Sequence, residues 1–272
     1  MSARSPGRRL SPWARYTLIC AAVSVIVFAA MAWMWPWRPG RLGGLVFGTA
    51  AALLFVNAGL YPWRRRWQAR PLGTAQRWLQ LHSYGSTLAM LLVLIHMGFR
   101  WPAGLIGGLL LVLSLWTTAT GLLGVWLQRT VPRLLARQLT VEPIYERIPA
   151  LIAALVAEAD ALMTGAPAAL AQLYAGEIRP ALNVPRSGMA WPTAIPRSGD
   201  NAVAPLIRLR SFLGAADQTR VDDLATIIQD KADLDVHLGL QRVLRGWLVL
   251  HVPPAILLLG LIVFHVLAVV LH

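Results

Sequence analysis

The sequence predicts an all-α, polytopic membrane protein, with five transmembrane helices and a helical insert on the cytoplasmic side. Three observations carry this. Of 272 residues, 57% are hydrophobic and only 14% charged, too apolar a balance for an ordinary soluble domain. Five apolar runs are each long enough to cross a ~30 Å hydrocarbon core as a helix. The formal charge of +13 resides mainly in arginines beside those runs rather than on one soluble face. Positive-inside topology accounts for it, and no nucleic-acid partner is expected.

The N-terminal stretch MSARSPGRRLSPWAR carries four arginines and leads into the first span, about 14–35. That span is long and ends in MAWMWPW, without the small residues of a cleavage site, so an uncleaved helix is expected rather than a signal peptide. After the turn WRPGR, the second span, about 43–62, is rich in small residues, with Gly43, Gly44, Gly48 and Gly59. A polar connection containing five arginines leads to the third, RWLQLHSYGSTLAMLLVLIHMGFR, at 77–100. RWPAG turns the chain into a fourth span, about 103–127, and a fifth occupies 246–272. The expected division is therefore 1–127 for the tail and four helices, 128–245 for the insert, and 246–272 for the last helix.

Orientation follows from the arginines. The N-terminal tail has four and the second-to-third connection five, against two and one in the intervening turns. The N-terminus is thus expected on the cytoplasmic side of an inner (plasma) membrane, with the insert on the same side and the C-terminus outside. Helices three and five then run in the same direction. Trp63, Trp78, Trp101, Trp126 and Trp247 fall near span ends, as an interfacial aromatic belt requires.

Within the insert, residues 142–182 show apolar positions at helical spacing, predicting two amphipathic helices broken at Gly165–Pro167. Residues 183–204, where PRSG occurs twice, are expected to be loop. From 217 to 244 another helix is expected, with Val221, Leu224, Ile228, Leu234 and Leu238 on one side, packing on the other insert helices or on a partner subunit, and running almost directly into helix five. Glu142, Glu146, Glu158 and Asp160 read as solvated faces. No P-loop, G-x-G-x-x-G, HExxH or Ser/His/Asp arrangement is present.

The chemistry lies in histidines. His82 and His96 are fourteen residues apart on the third span, close to four helical turns, so both project from one face about 21 Å apart. His251 and His265 repeat the interval on the fifth. Ionisable side chains in hydrocarbon need partners. With the two helices co-directional, His82 meets His251 and His96 meets His265, and each pair is suited to grip one haem iron from both sides. The lone cysteine, Cys20, rules out covalent C-x-x-C-H attachment within this chain, so any haem is expected to be non-covalent and held by histidine or methionine. One such histidine alone reads equally well as a helix–helix hydrogen-bonding residue. Two matched pairs favour metal.

His237 lies another fourteen residues before His251, but in the polar stretch DKADLDVHLGLQ, and is expected on a solvated face. His272 is expected at the interface. Arg77, Arg100 and Arg245 flank the ligand helices where haem propionates would emerge, although topology explains them as well. Pro253 and Pro254 either kink helix five to aim His251 or are tolerated membrane prolines. Ser83, Ser86 and Thr87 are expected to satisfy backbone or imidazole hydrogen bonds.

The chain resembles the haem-bearing N-terminal half of cytochrome b and its shorter relative cytochrome b6. The resemblance rests on the paired fourteen-residue spacings, on Gly85 and Gly98 after the two ligands of the third span, and on the run TTATGLLG. It rests also on Gly107 and Gly121, which repeat the interval on the fourth span. It covers helices two to five and implies a four-helix bundle in which His82, His96, His251 and His265 hold two non-covalent b-type haems whose flat rings approach Gly85, Gly107 and Gly121. The chain departs from the family in its additional first helix, its long insert, the absence of the Pro-Glu-Trp-Tyr motif, and the cytoplasmic placement of the first-listed ligands. The dihaem membrane subunits of formate dehydrogenases and hydrogenases share the same general logic.

Together these readings predict a dihaem cytochrome carrying electrons across the membrane between the quinone pool and a redox partner, as one subunit of a respiratory or photosynthetic complex. A cytochrome c or an iron–sulfur protein would be the partner, and quinone is a further candidate ligand. The alternative is a non-haem transporter or sensor with the insert as a regulatory domain. A third reading keeps the haems in a transmembrane reductase of metal ions or small acceptors.

Overall fold

The structure, a computed structural model, describes residues 11–62, 74–135, 145–183 and 198–271. Trp63, Glu142, the first PRSG copy and His272 lie outside them. Every regular element among the described residues is helical, and five helices are long and apolar enough to span a membrane. The chain forms two compact units, one of residues 1–125 with 247–272, the other of 126–246.

In the first unit, α1 (Pro12–Met34) starts where Ser11 caps Ala14 N–H through its hydroxyl and Pro12 supplies a preset first turn. No residue of α1 is buried within the protein, so its apolar surface suits contact with lipid. α2 (Leu42–Gly59) and α3 (Ala75–His96) pack along Phe47, Ala51, Leu92 and Ile95. Phe55, Ala89, Leu258 and Ile262 make a second apolar cluster. α3 begins at a Thr74 cap and ends earlier than the expected residue 100. Gly98 (φ +64°) donates to Ile95 C=O at 2.8 Å and Phe99 donates to Leu94 C=O at 2.9 Å, the paired bonds of a Schellman stop. Gly98, which the resemblance groups with the ligands, is thus the residue that terminates the helix, because its left-handed φ disfavours a side chain.

α4 (Leu105–Leu135) buries Ser114, Thr117 and Thr120 on one face. The two threonine hydroxyls donate to Leu113 and Trp116 carbonyls, each at 2.8 Å, which makes them tolerable in an apolar setting.

In the second unit, a 3-10 turn (Tyr145–Arg147) precedes α5 (Ile148–Leu162). The break falls at Gly165 (φ +74°), followed by α6 (Ala168–Leu173), a π-helical turn (Tyr174–Ile178) and α7 (Arg179–Asn183). The extra residue of the π turn brings Leu170, Tyr174, Ile178 and Leu182 onto one apolar cluster with Val221, Leu224 and Ile228. Residues 198–204, expected as loop, instead belong to α8 (Ser198–Arg210), whose buried Leu206 joins that cluster.

α9 (Ala215–Leu271) is one 57-residue helix, contributing 215–246 to this unit and 247–271 to the other. Its expected stripe is buried, with Leu234 and Leu238 on Ile148. His237 corrects the sequence reading: it is 1% exposed, not solvated. The polar stretch misled because its charges pair inside, Lys231 Nζ on Asp235 Oδ2 at 2.5 Å with both side chains buried.

α9 continues through Pro253 and Pro254. Lacking N–H, Pro254 leaves Leu250 C=O without its helical donor, and Trp116 Nε1–H supplies one at 2.9 Å.

Candidate functional site

His82 and His96 lie on α3 and His251 and His265 on α9, all within the first unit and each half-buried. His82 and His251 have ring centroids 6.3 Å apart and planes crossing at 75°. Farther along the same two helices, Ala89 of α3 shares an apolar cluster with Leu258 and Ile262 of α9.

What surrounds each ring decides which nitrogen is free. His82 Nδ1 lies 2.9 Å from Ala58 C=O and His96 Nδ1 lies 2.7 Å from Gly44 C=O. A carbonyl only accepts, so each Nδ1 carries the proton. His251 Nδ1 lies 2.9 Å from Thr120 Oγ1, whose own proton goes to Trp116 C=O at 2.8 Å. The hydroxyl therefore accepts, and Nδ1 of His251 is protonated too. In all three rings Nε2 keeps the lone pair, the form in which an imidazole ligates a metal.

Both acceptors for the α3 pair come from α2. Gly44 and Ala58 are themselves fourteen residues apart and run antiparallel to His96 and His82, so one helix serves both rings. Ala58 C=O lies in the last turn of α2, where carbonyls lack helical donors. At the other end, a Cβ on Gly48 would stand 2.7 Å from His96 Nδ1, so the ring approaches that backbone only because position 48 has no side chain. Trp37 Nε1–H donates to the carbonyl of His96 at 3.2 Å, filling an end carbonyl of α3.

The other residues singled out in the sequence are placed as follows. Gly121 faces His251, with an added Cβ 3.5 Å from Cε1. Gly85 is buried with space around it, the nearest atoms to an added Cβ being 3.8 Å away on Leu54. Gly107 sits against Pro102 in its own turn. Arg77 and Arg100 are exposed at the two ends of α3. Arg245 belongs to the second unit and pairs with Glu146 at 2.6 Å. Ser86 and Thr87 hydroxyls donate to backbone carbonyls of His82 and Ser83.

An imidazole nitrogen sits about 2 Å from a bound first-row metal, so two rings in line across one ion have centroids about 6 Å apart. The His82–His251 centroid separation of 6.3 Å is close to that spacing. Among the described residues no three His, Cys, Asp or Glu side chains converge on one point. Comparison with family models, with curated proteins and with solved structures finds no match.

Proposed function

We propose that the chain is a membrane subunit that binds two b-type haems and carries electrons across the bilayer between quinone and a redox partner. The observation that supports this best is the shared tautomer: three of the four matched histidines hold their Nδ1 protons on protein acceptors, leaving Nε2 to a metal. His82 with His251 would hold one haem, and His96 with His265 the other.

Held by these histidines, such a haem would supply a one-electron iron couple suited to relaying electrons. The chain's own part is to fix the ring planes through Ala58, Gly44 and Thr120 and to keep the sites apolar. Fourteen residues of helix set the two levels about 21 Å apart. The arginine distribution supports an N-terminus and a second unit on the cytoplasmic side of an inner membrane, with the His82–His251 level nearer that side. Quinone, a cytochrome c or an iron–sulfur protein would meet the chain at a membrane surface.

An optical spectrum of the purified protein tests this. Reduced-minus-oxidised bands of low-spin b haem at about two per chain are expected, and His96→Ala removes about half of them. Full haem retention in that variant would overturn the ligand assignment, and a protein without haem would return the chain to the transporter or sensor class. Reduction of the haems by quinol separates a quinone-linked subunit from a reductase of metal ions.

A further inference from the structure

Resting on the ligand reading above, we propose that Trp247 is a positioning residue for His251. Its indole, seated against Gly124, fixes the plane in which that imidazole presents Nε2.

Residues 247 and 251 are one helical turn apart, so their side chains are neighbours on a face of α9. The two rings stack at 17°, with centroids 5.5 Å apart. Trp247 Nε1–H donates to Thr120 C=O at 2.7 Å, while the hydroxyl of the same threonine accepts His251 Nδ1–H. One residue of α4 therefore holds both members of the stack. A Cβ on Gly124 would stand 2.0 Å from the indole, with two further ring atoms within 2.9 Å. The glycine admits the indole, the indole covers the imidazole, and Gly121 leaves room for its edge.

Across the pair, His82 has a different neighbour, Tyr61, tilted at 43° with centroids 5.3 Å apart. The 75° crossing of the two imidazole planes is thus held on the α9 side by Trp247. The orientation of a ligating imidazole and the hydrogen bonding behind it would tune a haem held there. Trp247 would accordingly bear on the potential of the haem held by His251 rather than on that of the other.

The test uses full-length protein with isotope-labelled histidine, reduced so that low-spin ferrous haem is diamagnetic. The His251 Cε1–H resonance, assigned by its loss in His251→Gln, is expected to be displaced by the indole ring current. Trp247→Leu and Gly124→Ala bring it back towards the other histidines, while Trp247→Phe retains part of the displacement. In a redox titration, Gly124→Ala shifts one of the two midpoints and leaves the other in place. Where Gly124→Ala does not fold, the two Trp247 variants decide. A His251 resonance unmoved in Trp247→Leu overturns the proposal with or without haem. Absence of b-type bands defeats the haem reading alone, and the resonance still decides whether Trp247 positions the ring.

Discussion

At the scale of single residues, an imidazole in hydrocarbon is defined by where its proton goes. Carbonyls of Gly44 and Ala58 and the committed hydroxyl of Thr120 send it to Nδ1 in three rings. The four ligand candidates were legible in the sequence because their spacing is a side-chain pattern. The acceptors were not, because a backbone carbonyl carries no residue signature. Gly48 is the nearest thing to a signal, and only the structure shows that it faces His96. A methyl group there would stand 2.7 Å from Nδ1, whereas at Gly85 it would have 3.8 Å of clearance. If the proposed haems are bound, Gly48→Ala is therefore expected to lose about half of them and Gly85→Ala to keep them all. Haem-to-protein ratios measure the difference, and equal retention in both variants would detach α2 from the site.

At the scale of elements, the two prolines of α9 show how a local rule is broken and repaired. The carbonyl freed by Pro254 has no water to turn to in lipid, so Trp116 on α4 supplies the donor. Trp116→Phe should destabilise the protein by about 1–3 kcal/mol. In a Pro254→Ala background, where the N–H is restored, the same change should cost much less, a coupling that a double-mutant cycle in reversible detergent unfolding reads directly. In the second unit, α7 is tied to α5 through Asp160. Its carboxylate accepts from Arg179 at 2.7 and 3.0 Å and from Tyr174 at 2.6 Å, and these bonds hold its pKa down at about 2. A depressed carboxylate pKa stabilises the fold above the ordinary carboxylate range and loses that contribution as pH falls through about 2. Asp160→Asn should flatten this acid limb in melting curves of the whole chain, and an unchanged limb would remove the contact from the account.

At the scale of the whole molecule, five helices are long and apolar enough to span a membrane, and the arginine bias proposes how they are threaded. A fluorescent protein on the N-terminus should fold and emit in the cytoplasm, while an enzyme active only outside it should work when fused after residue 272. The reverse pattern would invert the orientation and with it the side on which the His82–His251 level lies. The sequence alone determined the number and order of the apolar spans, the histidine intervals and the stripe on α9. Each of these is a periodic arrangement of side chains along one helix, set by 3.6 residues per turn and a fixed hydrocarbon thickness. The tertiary structure decided that α2 serves both rings of α3, that α4 holds Trp247 and His251, and that His237 is buried along with Lys231 and Asp235. Those relations join residues distant in sequence through backbone atoms and unoccupied glycine positions, which leave no periodicity for a linear pattern to display.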